Sequence, residues 1–286
     1  MSRGQTRRRL WFTVLGPVRA WRGDQEIDLG SPQARSLLAV LLAHGGQSVS
    51  LARLVDTMWG PDSPRTAVNA IHRNIGLLRR RIEPDLPARR AGGWLVRSAG
   101  GYRVDADGDS LDLLRFRGLV MRARAGGGRG AIELYHEALG LWSGAGGEGI
   151  DPRVRADAVF TRLEQELSTV ARDAADVALA VGGAGVLADA VEQVAGRAPF
   201  DEPLHERLIR LLGAAGQQAR ALQSYQDLRR RLGAELGLSP AASVDAARDA
   251  VLRSPRRARQ LRSATLLSYR RMGCPLNQRP GGVSPH

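Results

Sequence analysis

The sequence predicts two fold classes in one chain: an α+β module first, then an all-α domain. Three observations carry this. Short apolar runs bounded by Gly and Pro occupy residues 10–29 and 94–104, as strands do. Between Ser31 and Ile82, apolar residues recur at the steps of three and four that mark helices. From Ser110 onward strand signals cease, and helical periodicity runs to residue 232.

Each element follows in order. Trp11–Leu15, Val18–Trp21 and Glu26–Leu29 read as a small strand meander, with Gly23-Asp24 at a turn. Ser31-Pro32 opens a helix whose apolar run, Leu37 to Leu42, stops at Gly45-Gly46. Ser50 caps a short second helix, Leu51–Met58, which Gly60-Pro61 ends. A third helix is predicted to begin with Ser63 as cap and Pro64 at its first position. Val68, Ile71, Ile75, Leu78 and Ile82 form its buried face. Its other face carries Asn69, His72, Arg73, Arg79 and Arg80. Beyond a Pro/Arg connection, Trp94–Arg97 and Tyr102–Val104 read as a hairpin turning at Ser98–Gly101. Strands, three helices and a closing hairpin are the order of a winged helix-turn-helix, a DNA-binding arrangement.

The remainder reads as successive helices: Leu111–Ala125, Ala131–Trp142, Ala156–Val181, Val186–Ala195, Leu204–Leu212 and Ala219–Leu232. Small residues such as Ala188, Ala190, Ala219 and Ala221 suit close helix pairing, and Tyr225 follows Val191 by 34 residues. Both features match tetratricopeptide-type hairpins, although the full repeat signature is absent and an irregular bundle is the alternative. The domains are therefore a basic start (1–9), a winged helix (10–105), an all-α domain (110–253) and a basic tail (254–286). The first and last are expected to be disordered.

Charge divides along the same lines. The chain carries +13 overall, and all 42 of its basic residues are arginine. Residues 1–105 hold 17 Arg against 8 acids, residues 106–253 are net −3, and residues 254–286 hold 7 Arg and no acid. A cationic first module fits a polyanionic partner. The tail either adds phosphate contacts that ignore sequence or ends the chain without a role. The lone Cys274 leaves no disulfide framework, which fits a reducing cytoplasm. No apolar run approaches the ~18 residues of a membrane helix, so no membrane partner is expected.

Catalysis finds no support in the residues. Gly144–Gly149 matches G-x-G-x-x-G, but it follows a helix where a dinucleotide site needs a strand, and it reads as a flexible loop. A chain without lysine cannot hold the usual phosphate-binding loop. The five histidines lack metal spacing. The expectation is no enzyme, no cofactor and no metal.

The residues resemble a known family. Leu54–Gly60, Ala67–Ile82 with Leu78-Arg79-Arg80, and Gly101–Val104 resemble the OmpR-type winged helix of the Streptomyces antibiotic regulatory proteins. Leu111–Phe116, Ala138–Trp142, Pro203–Leu208 and Leu236–Pro240 resemble that family's bacterial transcriptional activation domain. The resemblance implies an activator of a secondary-metabolite gene cluster. It would bind direct repeats in double-stranded promoter DNA as a homodimer and recruit RNA polymerase through its sigma or alpha subunits. It also implies a stand-alone form without the ATPase domain of larger members, and any small-molecule effector is unknown. The DNA contacts implied are Asn69, His72, Arg73, Arg79 and Arg80 on the helix, with Arg97 and Arg103 in the wing. Gly76 and Leu77 stand where members place a polar–basic pair, and Ser98 stands where many place an arginine. The rival reading is a helical protein-interaction regulator whose DNA binding is weak or non-specific.

Overall fold

The computed structural model describes residues 10–84, 93–98 and 100–253. The expectations for the basic start, the tail and most of the Pro/Arg connection lie outside these residues. Strands β1 (Leu10–Thr13), β2 (Arg19–Arg22) and β3 (Gln25–Glu26) form an antiparallel sheet in the order β1-β2-β3. The third strand is shorter than predicted. Only the Ile27 N–H, donating to Ala20 O at 2.8 Å, extends the pairing, and Gly30 turns the chain at φ 84°.

Helix α1 (Pro32–Ala43) starts as its sequence dictates: Ser31 accepts the Ala34 N–H and Pro32 stands in the first turn. Strand β4 (Val49–Ser50) leads into α2 (Leu51–Trp59), where Ser50 accepts the Arg53 N–H. A single 3-10 turn, Gly60–Asp62, separates α2 from α3 (Ala67–Ile82). Ser63 is therefore not the cap of α3. The Ala67 N–H donates to Pro64 O, so residues 63–66 form a turn of their own and the helix begins at Ala67. The buried face shifts with it. Ala67, Ile71, Asn74, Ile75, Leu78 and Ile82 are buried, while Val68 is 42% exposed.

Strands β5 (Leu95–Ser98) and β6 (Gly101–Val104) make the predicted hairpin, and β6 also pairs with β4. Gly101 is required at that junction: a Cβ there would stand 1.8 Å from Val49 O.

The second domain is helical throughout: α4 (Asp112–Gly126), α5 (Gly128–Gly140), α6 (Pro152–Arg155), α7 (Ala158–Val181), α8 (Ala184–Arg197), α9 (Glu202–Ala214), α10 (Gln218–Arg231) and α11 (Ala242–Arg253). Neighbours in sequence pack as pairs, α4 on α5, α7 on α8 and α9 on α10, while α11 covers α9. Helix α11 has no counterpart in the sequence reading. A five-residue π-turn, Leu232–Leu236, precedes it and breaks the period.

The Gly-rich loop after Trp142 is not a loose segment. Ser143, Gly147 and Glu148 donate backbone N–H groups to Leu15 O, Val14 O and Gly16 O at 2.9–3.0 Å, and Val18 donates back to Glu148 O. Gly147 sits at φ 69°, and a Cβ there would lie 2.5 Å from the Phe160 ring. Glycine at 147 is thus demanded by close packing on Phe160 within the helical domain, not by flexibility. Asp112 closes the same seam. Its buried carboxylate accepts the N–H groups of Val14, Leu15 and Leu113 at 2.7–3.1 Å.

Candidate nucleic-acid interface

At about 100° per residue, Asn69, His72, Arg73, Gly76 and Arg80 fall along one stripe of α3, opposite Ile71, Ile75 and Leu78. All but half-buried Gly76 are exposed. Arg79 falls to one side of this stripe and Leu77 to the other.

The two flanks differ. Arg79 reaches the hairpin, donating from Nε to Leu95 O at 2.9 Å, and its guanidinium lies 5.8 Å from the Tyr102 ring centre. His72 meets the edge of the same ring, with centroids 6.1 Å apart. Tyr102 is buried, so it joins helix to hairpin. The strand register sorts the wing residues. Leu95 pairs with Val104 and Arg97 with Tyr102, so these four share the face toward α3. Val96 and Arg103 belong to the other face, where Arg103 pairs with Asp105 at 2.8 Å. Arg103 is therefore apart from the other predicted contacts. Arg97 is exposed on the helix side.

Among the described residues, the guanidinia of Arg65, Arg73, Arg80 and Arg97 make no intrachain hydrogen bond or ion pair. In the helical domain Arg122, Arg129 and Arg162 are likewise without such a partner, but many other guanidinia there are ion-paired. Arg115 pairs with Glu137, Arg117 with Glu166, Arg124 with Asp173 and Arg207 with Asp176, all at 2.9 Å or less. Free guanidinia gathered on one helix and its wing are what a phosphate-rich partner needs. Arg65 was not singled out in the sequence. It lies exposed in the turn just before Ala67.

The C-terminal end of α3 is anchored to the first sheet. Arg81 pairs with Asp28, and Arg22 donates to Arg81 O at 2.8 Å. The Gly30 N–H, and then the Arg81 guanidinium, hold the Asp28 carboxyl below the usual carboxylate range. The other side of the stripe opens onto a cleft of about 950 Å3 between the domains, where Arg73 and Leu77 face Arg153 of α6. Among the described residues no His/Cys/Asp/Glu group has the arrangement of a metal site. No helix there is long and apolar enough to cross a membrane.

Comparison with known proteins identifies both domains. Residues 24–102 match the family described as "Transcriptional regulatory protein, C terminal", and residues 111–252 match "Bacterial transcriptional activator domain". The regulatory protein AfsR of Streptomyces griseus is 35% identical over 86% of this chain, which spans 25% of that protein. The transcriptional regulator RedD of Streptomyces coelicolor is 32% identical, the match covering 81% of this chain and 67% of RedD. The regulatory protein DnrI of Streptomyces peucetius is 26% identical over 85% of this chain and 92% of its own length. The solved structure of Mycobacterium tuberculosis EmbR in complex with a low-affinity phosphopeptide is similar over 92% of this chain and 71% of that one. Its TM-score is 0.64 at 24% identity, a likeness of fold. With both domains matched in order, the chain belongs to the Streptomyces antibiotic regulatory protein family of DNA-binding transcriptional regulators.

Proposed function

We propose that this protein is a sequence-specific activator of a secondary-metabolite gene cluster, which binds promoter direct repeats as a homodimer and recruits RNA polymerase. The observation that carries the reading is the row of exposed groups on α3, Asn69, His72, Arg73 and Arg80, with the Arg73 and Arg80 guanidinia unpaired, beside the wing's Arg97. Helix α3 enters the major groove, where base edges distinguish sequences, while Arg65 and Arg97 hold phosphates and set register. Arg79 acts through the wing, and Arg103 takes no direct part. The helical domain offers its surface to the second protomer or to the polymerase.

Gly76 and Leu77 remove two polar side chains from the neighbourhood of the stripe, which favours an operator different from those of other members. Fluorescence anisotropy with duplexes from the neighbouring promoters and with shuffled duplexes, across a salt series, tests the reading. Tighter binding to one promoter duplex is expected. Equal affinity for promoter and shuffled DNA would replace the activator with a protein-interaction regulator.

A further inference from the structure

We propose that the helical domain itself takes part in DNA binding, through Arg153 of α6, which grips the phosphate backbone on the flank of α3 away from the wing. The inference rests on the reading of α3 as the major-groove helix. A helix in that groove has a phosphate strand on each side. The hairpin with Arg97 stands on one flank. On the other lies the interdomain cleft, lined by Arg73 and Leu77 of α3, Trp59 of α2, Gln33 of α1 and Arg153.

The groups at the cleft suit a phosphate. Arg73 has no partner in the chain. The N-terminal turn of α1, a 12-residue helix, opens on the same space and brings the positive end of its dipole. The Arg153 side chain is 67% exposed, and its one ion partner, Asp62, is 79% exposed at 3.5 Å. Such a pair is weak in water, so a phosphate can take Asp62's place. Asp151 makes no ion pair with the guanidinium; its carboxylate accepts the Arg153 backbone N–H at 2.8 Å.

Arg153 is also held in position. Val154 beside it is buried, and the Asp151 N–H donates to Ser36 Oγ of α1 at 3.2 Å. The segment that carries Arg153 is therefore fixed to the winged helix, not to the helical domain alone. A single duplex can meet Arg73 and Arg153 together without any rearrangement of the domains.

The test is a salt titration of DNA binding by the full chain, on promoter and shuffled duplexes, with three single variants and one double. Arg153→Ala is expected to weaken binding to both duplexes by a similar factor. It should also reduce the slope of log K against log salt by about one, as the loss of one phosphate contact requires. Asp62→Ala removes the competing carboxylate and is expected to tighten binding to both, while the double variant should behave like Arg153→Ala. Arg129→Ala, an exposed unpaired arginine on α5, should change neither affinity nor slope.

If Asp62 and Arg153 only bracket the domains together, their variants will move affinity in the same direction, and the proposal fails. It also fails if Arg129→Ala matches Arg153→Ala, which would reduce the effect to net charge. Wild-type binding with an unchanged Arg153→Ala overturns this inference alone. Absence of wild-type binding to either duplex overturns it together with the reading of α3.

Discussion

Arg73 and Arg79 are the same residue on one helix, yet their surroundings give them different tasks. Arg73 is exposed and unpaired, whereas Arg79 is half-buried and bonded to Leu95 O. Arg73→Ala should therefore leave the melting temperature unchanged and weaken promoter binding by about 1–3 kcal/mol. Arg79→Ala should lower stability by about 1–3 kcal/mol, because a strand carbonyl and the Tyr102 ring lose their partner; thermal melts and anisotropy on both variants check the pair. Asp112 acts at this scale too. Burial pushes its carboxyl up to about 6, against three backbone N–H bonds that pull it down. Its pKa is thus higher in the folded chain than unfolded, so its stabilising contribution is greatest below the unfolded value near 4. That contribution is lost as pH rises through 6. Asp112→Asn should abolish this slope in denaturant-derived stability between pH 4 and 6. It should also cost about 1–3 kcal/mol at neutral pH, since an amide cannot accept bonds on both sides. A slope that survives the substitution would assign the titration to another group.

Helix α3 shows how much of an element its own sequence discloses. Its type, its C-terminal arginines and its apolar core at Ile71, Ile75, Leu78 and Ile82 follow from spacing alone. Its start does not. Ser63-Pro64 has the chemistry of a cap, but the 3-10 turn at Gly60–Asp62 and the Ala67-to-Pro64 bond use up those residues. Val68 then satisfies the apolar spacing while facing outward. Local pattern cannot distinguish a buried Val from an exposed one a single helical step away. The two faces of the hairpin were equally hidden, because which side Arg103 takes depends on the pairing of Val96 with it. Gly76 offers a prediction at this scale. It sits in the middle of the stripe, and an added Cβ would lie 3.7 Å from an Arg80 terminal nitrogen, an ordinary contact. Gly76→Ala should stabilise the protein by up to about 1 kcal/mol through helix propensity alone. A chemical denaturation midpoint that falls would show that the site needs the glycine for packing.

At the scale of the molecule, the domains share a seam that no short stretch of sequence displays, since its partners lie about a hundred residues apart. Residues 14–18 bond along the loop 143–148, Asp112 holds the Val14 and Leu15 amides, and Asp157 joins α2 to α7. Asp157 does three things at once. It caps α7 through the Val159 N–H, accepts both Arg53 contacts at 2.7–2.8 Å, and accepts the Thr57 hydroxyl at 2.9 Å. Because hydrogen bonds and core packing cross the boundary, the chain should unfold in one calorimetric transition, with calorimetric and van't Hoff enthalpies in agreement. Two separated transitions would mean that the seam is too weak to couple the domains. Asp157→Ala removes the cap, leaves the Thr57 hydroxyl without its acceptor and leaves Arg53 with Asp56 alone, so the melting temperature should fall with a cost of about 1–3 kcal/mol. The consequence should reach DNA as well. Helix α2 packs on α3 and, with α6, borders the cleft beside Arg73. Loosening α2 from α7 therefore disturbs how the two domains present their arginines to one duplex. Binding should weaken with the salt slope unchanged, because no phosphate contact has been deleted. That combination separates a fault in the seam from the loss of Arg153, which alters the slope. A lower melting temperature with undiminished DNA affinity would show that the winged helix binds without regard to its neighbour.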